Sequence, residues 1–301
     1  MNNSNENKDV ELIEFFSLLW SKRITLSLIT LLITTLAASY AIFSPNIYSS
    51  SAILKVSDSQ DGSTLSSITS QYGDLASMAG ISLPVSSQDK TGLVIQTVKS
   101  RDFLKHLILN HDVLSKLMAT KKYDHKSQKI VFDTSIYDPK KEEWNSGAPS
   151  YLRAYREYFS KNLSINLDRN TGFIKITFYH ESPNFAKEFL EIIISELNAT
   201  TKLKDLEESQ LALKYLESQL EITNQNDIRD SINKLIEIQL KKQMFANIKD
   251  DYLVSVIDQP FAPEEKSSPR RALITILGLF IGFVLSIFIV LFKNSFQNRN
   301  V

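Results

Sequence analysis

Residues able to do chemistry are sparse in this chain of 301 residues. Four histidines, His106, His111, His125 and His180, titrate near neutrality in ordinary surroundings. No two of them have the H-E-x-x-H spacing that sets a pair of imidazoles on one helical face around zinc. Each reads as a surface or partly buried residue. The chain has no cysteine, hence no thiolate nucleophile, zinc-thiolate site or disulfide, and redox arguments leave the compartment open. The carboxylate pairs Glu142–Glu143 and Glu264–Glu265 are adjacent in polar stretches, not set apart as an acid and a base. None of the eight glycines is followed by lysine, so there is no P-loop, and neither G-x-S-x-G nor G-x-G-x-x-G occurs. The expectation is a protein without catalytic residues, cofactor or metal. A basic run, Lys121, Lys122, Lys126 and Lys129, reads either as a site for anionic sugar or lipid or as a solvated loop. With 34 basic and 34 acidic side chains, no charge excess is available to hold nucleic acid.

What the chain offers instead is patterning. Ala272 to Phe292 is 21 residues without a charge, about 31 Å of helix, close to the hydrocarbon thickness of a bilayer. A second uncharged run of 20 residues, Ile24 to Phe43, follows Lys22 and Arg23. A cleaved signal peptide is the rival reading of this run; its spanning length and long leader favour an uncleaved helix. Two spans put both termini on one side and residues 44–271 on the other. The short flanks (residues 1–23 and 293–301) carry Lys8, Lys22, Arg23, Lys293 and Arg299, which favours the cytoplasm for them; Arg270 and Arg271 run against that bias. Gly278-x-x-x-Gly282 and Ala37-x-x-x-Ala41 are small-residue pairs that allow the two spans to approach closely. Pro260, Pro263 and Pro269 stiffen the polar lead into the second span and withhold backbone N–H groups from any ladder. Residues 11–20 read as an interfacial helix or as an extension of the span.

Between the spans, the sequence predicts a mixed α and β domain. Residues 47–56 read as a strand, 57–70 as a loop and 71–84 as a short helix. Residues 89–111 read as two helices, with Ser100 as the N-cap between them. Residues 119–149 show no period and read as irregular. A helix over 151–161 precedes two alternating runs within 163–179, joined at Asp168-Arg-Asn-Thr-Gly172 into a β-hairpin. Pro183 sits in the first turn of the next helix, behind Ser182. Residues 184–251 hold no glycine or proline and read as one long helical region, its stripe narrowing to the near-heptad Leu206, Leu213, Leu216 and Leu220. A break is expected at Thr223–Asp227, after which Ile228, Ile232, Leu235, Ile236 and Met244 resume the stripe. A helix that long needs support from its successor or from other subunits, in coiled-coil fashion. Residues 252–258 read as a final strand.

These stretches carry a resemblance. ELIEFFSLLWSKR, a span ending in SPNIYSSSAILKV, the SRDFLKHLI segment, ITFYHESPNFAKEFLEIIISEL and the proline-rich lead into the second span are together similar to Wzz-type chain-length determinants, the polysaccharide co-polymerases. The resemblance implies an inner-membrane protein with a periplasmic α/β base and a long protruding helix. It also implies assembly into a ring-like homo-oligomer and action with a membrane polymerase on lipid-linked polysaccharide. Some relatives carry a cytoplasmic kinase domain after the second span. The nine residues that follow here, Lys293 to Val301, point to the O-antigen type. The alternative is an adaptor that activates a separate tyrosine kinase in capsule or exopolysaccharide export.

Overall fold

The computed structural model describes residues 20–57 and 87–299. The expectations for residues 1–19, for the loop at 58–70 and for the helix at 71–84 lie outside the described residues. The chain forms two compact units, one from residues 1–47 and 266–301 and the other from residues 48–265.

The first unit is a pair of antiparallel helices, α1 (Arg23–Phe43) and α8 (Arg271–Arg299). Both are long and apolar enough to cross a bilayer. On their outer sides Leu28, Leu31, Leu36, Phe280, Phe283 and Phe288 are all exposed. Leaving such surface in water costs about 25 cal/mol per Å².

The second unit is built on a four-stranded antiparallel sheet ordered β6-β7-β1-β8, with β1 at Tyr48–Val56, β6 at Leu163–Leu167, β7 at Ile174–His180 and β8 at Val254–Asp258. In β1 every second residue, Tyr48, Ser50, Ala52, Leu54 and Val56, is buried, the period of a strand with one covered face. The register sets small against large: Ser50 opposes Phe178 and Ala52 opposes Ile176. At the β6–β7 turn, Asp168 accepts from the Asn170 N–H and the Thr171 hydroxyl, each at 2.9 Å. Gly172 then takes φ +73°, which side chains rarely tolerate.

Helix α6 (Pro183–Ile222) starts where Ser182 Oγ accepts from Phe185 N–H, and its first turns cover the sheet. Phe185, Phe189, Leu190, Ile193 and Leu197 are buried there with Phe178 and Tyr158. The Phe178 and Phe189 rings are 4.7 Å apart, and each fully buried ring contributes roughly 1.5–3 kcal/mol. Two shorter helices, α2 (Ser87–Val98) and α3 (Arg101–Asn110), add Val94, Val98, Phe103, Leu104 and Leu107 to this core. Ser100 accepts from Phe103 N–H between them.

With 40 residues, α6 is about 60 Å long and outruns the sheet. It is supported by folding back on α7 (Asn226–Ile248). Thr223 leaves the helix in an extended conformation, and the Arg229 guanidinium donates to the Leu220 and Thr223 carbonyls at 2.8 and 3.0 Å, satisfying the end of α6. Leu216, Ile232, Leu235 and Ile238 form the apolar seam, with Leu220 and Ile236 beside them. Ile228 and Met244, expected in that stripe, are exposed instead.

Residues 119–149 are more regular than their sequence suggests. After α4 (Leu114–Ala119), β2 (Thr120–Asp124) pairs with β3 (Lys129–Phe132), and β4 (Tyr137–Asp138) pairs with β5 (Glu143–Trp144). Long-range bonds rather than local pattern position this part: Tyr48 Oη lies 2.6 Å from His125, and Asn184 donates to Tyr123 Oη at 2.9 Å. Helix α5 (Tyr151–Glu157) continues as a π-helical turn, Tyr158–Asn162, into β6.

Candidate functional site

Apart from Pro260 and Pro263, the candidate site residues named from sequence gather at or beside the α1–α8 pair. Because the helices run antiparallel, stepping one turn forward on α8 steps one turn back on α1. Gly278 faces Ala37 so closely that an added Cβ would collide with that of Ala37. Gly282 meets Thr30 and Ile33, where an added Cβ would come within 3.1 Å of the Ile33 Cβ. Ala41 is not opposite either glycine. It is 1% exposed, and its carbonyl accepts from Arg271 Nε at 3.1 Å. Between the helices, Ser286 is fully buried, and Thr30 donates to it at 3.3 Å. That polar contact between two apolar helices is worth on the order of 0.6 kcal/mol.

The basic residues mark the two ends of the pair. At one end Arg23 lies over the Trp20 ring, 5.4 Å from its centroid, and Lys22 is exposed. At the other, Arg271 spans from the Ala41 carbonyl to Asn46 Oδ1, 3.1 Å from each. The last carbonyls of a helix have no partner within it and carry partial negative charge, so a guanidinium there is favourable by both terms. Lys266 also donates to Asn46 Oδ1, at 3.4 Å, and Arg270 is exposed. The strands of chain beside the helix ends are tied by Ile47 N–H to the Ser268 carbonyl and Ser267 N–H to the Ile47 carbonyl, both 2.9 Å. Pro269 directly follows this tie. In the other unit, Pro260 is buried just past β8 and Pro263 is half-buried in the extended segment beyond it.

Sequence reasoning missed the polar residues that do most of the positioning. Asn46, Thr30 and Ser286 find partners 220 or more positions away, and single polar residues carry no periodic signal. Asn198 on α6 is another. Its Oδ1 accepts from Leu253 and Val254 N–H at 2.8 and 2.9 Å, and its Nδ2 donates to the Val254 carbonyl at 3.0 Å. The carboxamide thus acts as a short length of neighbouring strand at the start of β8. Near the sheet end of the helical hairpin, Asp205 accepts from Lys242 at 2.8 Å and from Tyr252 at 2.7 Å.

The histidines divide. His106 and His111 both reach Glu196 on α6, at 2.6 and 2.9 Å. Burial raises the Glu196 pKa, but the two imidazole bonds outweigh it and hold the carboxyl below its usual range. Among the described residues no group of histidine and carboxylate side chains is arranged to hold a metal ion. His180 departs from the surface reading: it is 1% exposed, inside the aromatic core. Its Nδ1 accepts from Ser182 N–H and its Nε2 donates to the Lys116 carbonyl, both at 3.0 Å. Desolvation pushes its pKa down to about 4, so it is neutral at pH 7. The four lysines of the basic run, Lys121, Lys122, Lys126 and Lys129, are exposed on or beside the β2–β3 hairpin.

Residues 8–111 match the family model described as Wzz, chain length determinant protein, and residues 219–295 match that described as GNVR, G-rich domain on putative tyrosine kinase. No curated protein sequence matches the chain. Among solved structures, one similar fold is a full-length bacterial polysaccharide co-polymerase, 13% identical with TM-score 0.43, covering 95% of this chain and 98% of that one. Another is a fragment of WzzB, a polysaccharide co-polymerase from Salmonella Typhimurium, 13% identical with TM-score 0.31, covering 74% of this chain and 100% of that one. By these two matches, residues 8–111 carry a Wzz chain-length determinant domain and residues 219–295 a GNVR domain.

Proposed function

We propose that this protein sets the modal length of lipopolysaccharide O-antigen, or of a related lipid-linked polysaccharide, as an oligomeric scaffold in the bacterial inner membrane. In this reading α1 and α8 span the bilayer, both termini are cytoplasmic, and the unit of residues 48–265 is periplasmic. The scaffold acts with the membrane polymerase and makes or breaks no bond itself.

The observation that carries the reading is the outer surface of the α6–α7 hairpin. The seam takes up one side of each helix, yet Leu211, Tyr215 and Ile222 on α6 and Leu240, Met244 and Ile248 on α7 remain exposed. On α6 these three recur at 4 and 7 residues, a coiled-coil spacing, and therefore share one face. A helix pair with apolar stripes left over is built to pack against further helices, and neighbouring copies of the same chain are the occupant that would form a ring. The test is deletion of the gene followed by gel analysis of lipopolysaccharide. Polymer that persists without modal banding supports the reading, and unchanged banding removes it.

A second reading has its own support. The GNVR description names a domain found on putative tyrosine kinases, and its match covers residues 219–295. An adaptor that activates a cytoplasmic kinase in capsule or exopolysaccharide export would act through residues 293–301. Loss of kinase activation on deleting that segment, with O-antigen banding intact, would favour it.

A further inference from the structure

We propose that Lys266, Arg270 and Arg271 hold the phosphate of a lipid headgroup at the end of the α1–α8 pair. The proposal rests on reading α1 and α8 as membrane spans.

Two cations converge on one neutral oxygen here: Arg271 and Lys266 both bond Asn46 Oδ1, at 3.1 and 3.4 Å. Their charged groups are therefore on the order of 6 Å apart, a separation at which two like charges repel unless an anion lies between them. Arg270 adds a third positive charge beside them in the chain. Glu264 and Glu265 precede Lys266 and are exposed, but among the described residues no carboxylate forms an ion pair with any of the three cations. The convergence is held in place rather than incidental, because the Ile47–Ser268 bridge and the Arg271 bond to Ala41 fix the segments that carry it.

Donors are left over as well. A guanidinium has five N–H groups, and Arg271 commits its Nε and one Nη to protein acceptors. Its remaining donors, with the Lys266 ammonium and the Arg270 fork, suit the oxygens of a phosphate, the geometry for which arginine is favoured. The phosphate source follows from the neighbours. Immediately beyond Arg271, α8 exposes Leu273, Ile276, Leu277 and Phe280, a surface for acyl chains rather than for water. A phosphate attached to an acyl lipid satisfies both the cations and this surface, whereas free phosphate satisfies only the cations. The pair Arg270–Arg271 also opposes the charge bias set by Lys22 and Arg23, so orientation does not account for its presence.

The test uses the full chain in detergent, with phosphatidylglycerol binding read by native mass spectrometry. Lys266→Gln with Arg270→Gln is the informative variant, since it leaves the Arg271 bonds and the helix contacts intact. At about 1 kcal/mol per surface cation, affinity for phosphatidylglycerol should fall roughly thirtyfold. Affinity for diacylglycerol, which has the chains without the phosphate, should not change. Equal phosphatidylglycerol affinity in the two proteins overturns the proposal. Displacement of the lipid by millimolar inorganic phosphate also overturns it, because the site would then be a free-anion site. Membrane fractionation of the same variant separates this from failure of the spanning reading: a protein recovered from the soluble fraction without detergent sinks the spans themselves.

Discussion

Replacing Asn198 by leucine should loosen the start of β8 by an amount that can be reckoned from its three bonds. The side chain is 6% exposed and serves the Leu253 N–H, the Val254 N–H and the Val254 carbonyl. Leucine is near in volume, so cavity formation contributes little and the loss is one of hydrogen bonding. A buried polar group left without a partner costs about 1–3 kcal/mol. Water reaches part of a sheet edge, so the sum should settle at roughly 3–5 kcal/mol, a large share of the 5–15 kcal/mol typical of a folded domain. Asn198→Asp separates the contributions: it keeps an acceptor for both N–H groups but turns a carboxylate oxygen towards the Val254 carbonyl. Protonation would restore that donor, so the aspartate variant should recover part of its deficit relative to wild type as pH falls. Hydrogen exchange of the full chain in detergent provides the readout. Amides of residues 253–256 should exchange about 100-fold to 4000-fold faster in the leucine variant, following tenfold per 1.4 kcal/mol of local opening free energy. The β6–β7 amides should change far less. Wild-type exchange across 253–256 in the leucine variant would refute the idea that this carboxamide secures the last strand.

Four further outcomes follow from the same structure. Because His180 is neutral in the fold, with its pKa pushed from 6.5 down to about 4 by burial, its contribution is whole above pH 6.5 and is lost as pH falls towards 4. Roughly 3 kcal/mol of stability should disappear over that window, and a thermal melt of His180→Phe should show a shallower decline. Glu196, held below its usual range by His106 and His111, adds stability that is whole above that usual range and is lost as the carboxyl protonates on acidification; Glu196→Gln should flatten the acid limb. The chain's lack of cysteine permits a direct probe of the helix pair: Thr30→Cys with Ser286→Cys should form a disulfide readily, and adding Gly278→Leu should suppress it by forcing α8 away from Ala37. Tyr215→Ser with Met244→Ser removes two exposed apolar side chains. Light scattering in detergent should show smaller assemblies while circular dichroism stays that of the folded chain.

Features with a local cause were legible in the sequence. Charge-free runs of bilayer length marked α1 and α8, and alternation marked β1 and the β6–β7 hairpin, whose turn is set by Asp168 and Gly172. Ser100 and Ser182 stood where helices begin, and the polar stretch after Ile222 marked the fold-back. His180 carried a signal that was overlooked: in β7 it continues the inward alternation of Ile174, Ile176 and Phe178, and a residue in that phase belongs in the core. Residues 119–149 were not legible because the strand Thr120–Asp124 is half lysine and polar, and packing of Tyr123, His125 and Ile130 against distant residues decides it. In the candidate site, the meeting of Gly278 with Ala37 could be read from residue size, but not the offset that puts Gly282 against Ile33. That offset depends on helix direction and on where the Arg271–Ala41 bond fixes the register.

The central claim is that this chain sets polysaccharide length through assembly of its helical hairpin. It is tested most directly by complementing a deletion strain with wild-type protein and with the Tyr215→Ser, Met244→Ser variant, then resolving lipopolysaccharide on a gel. Wild type should restore a modal band cluster, and the variant should yield polymer of shifted or undefined length at equal protein abundance. A deletion strain that keeps its modal cluster, or a dissociated variant that restores it in full, would contradict the claim.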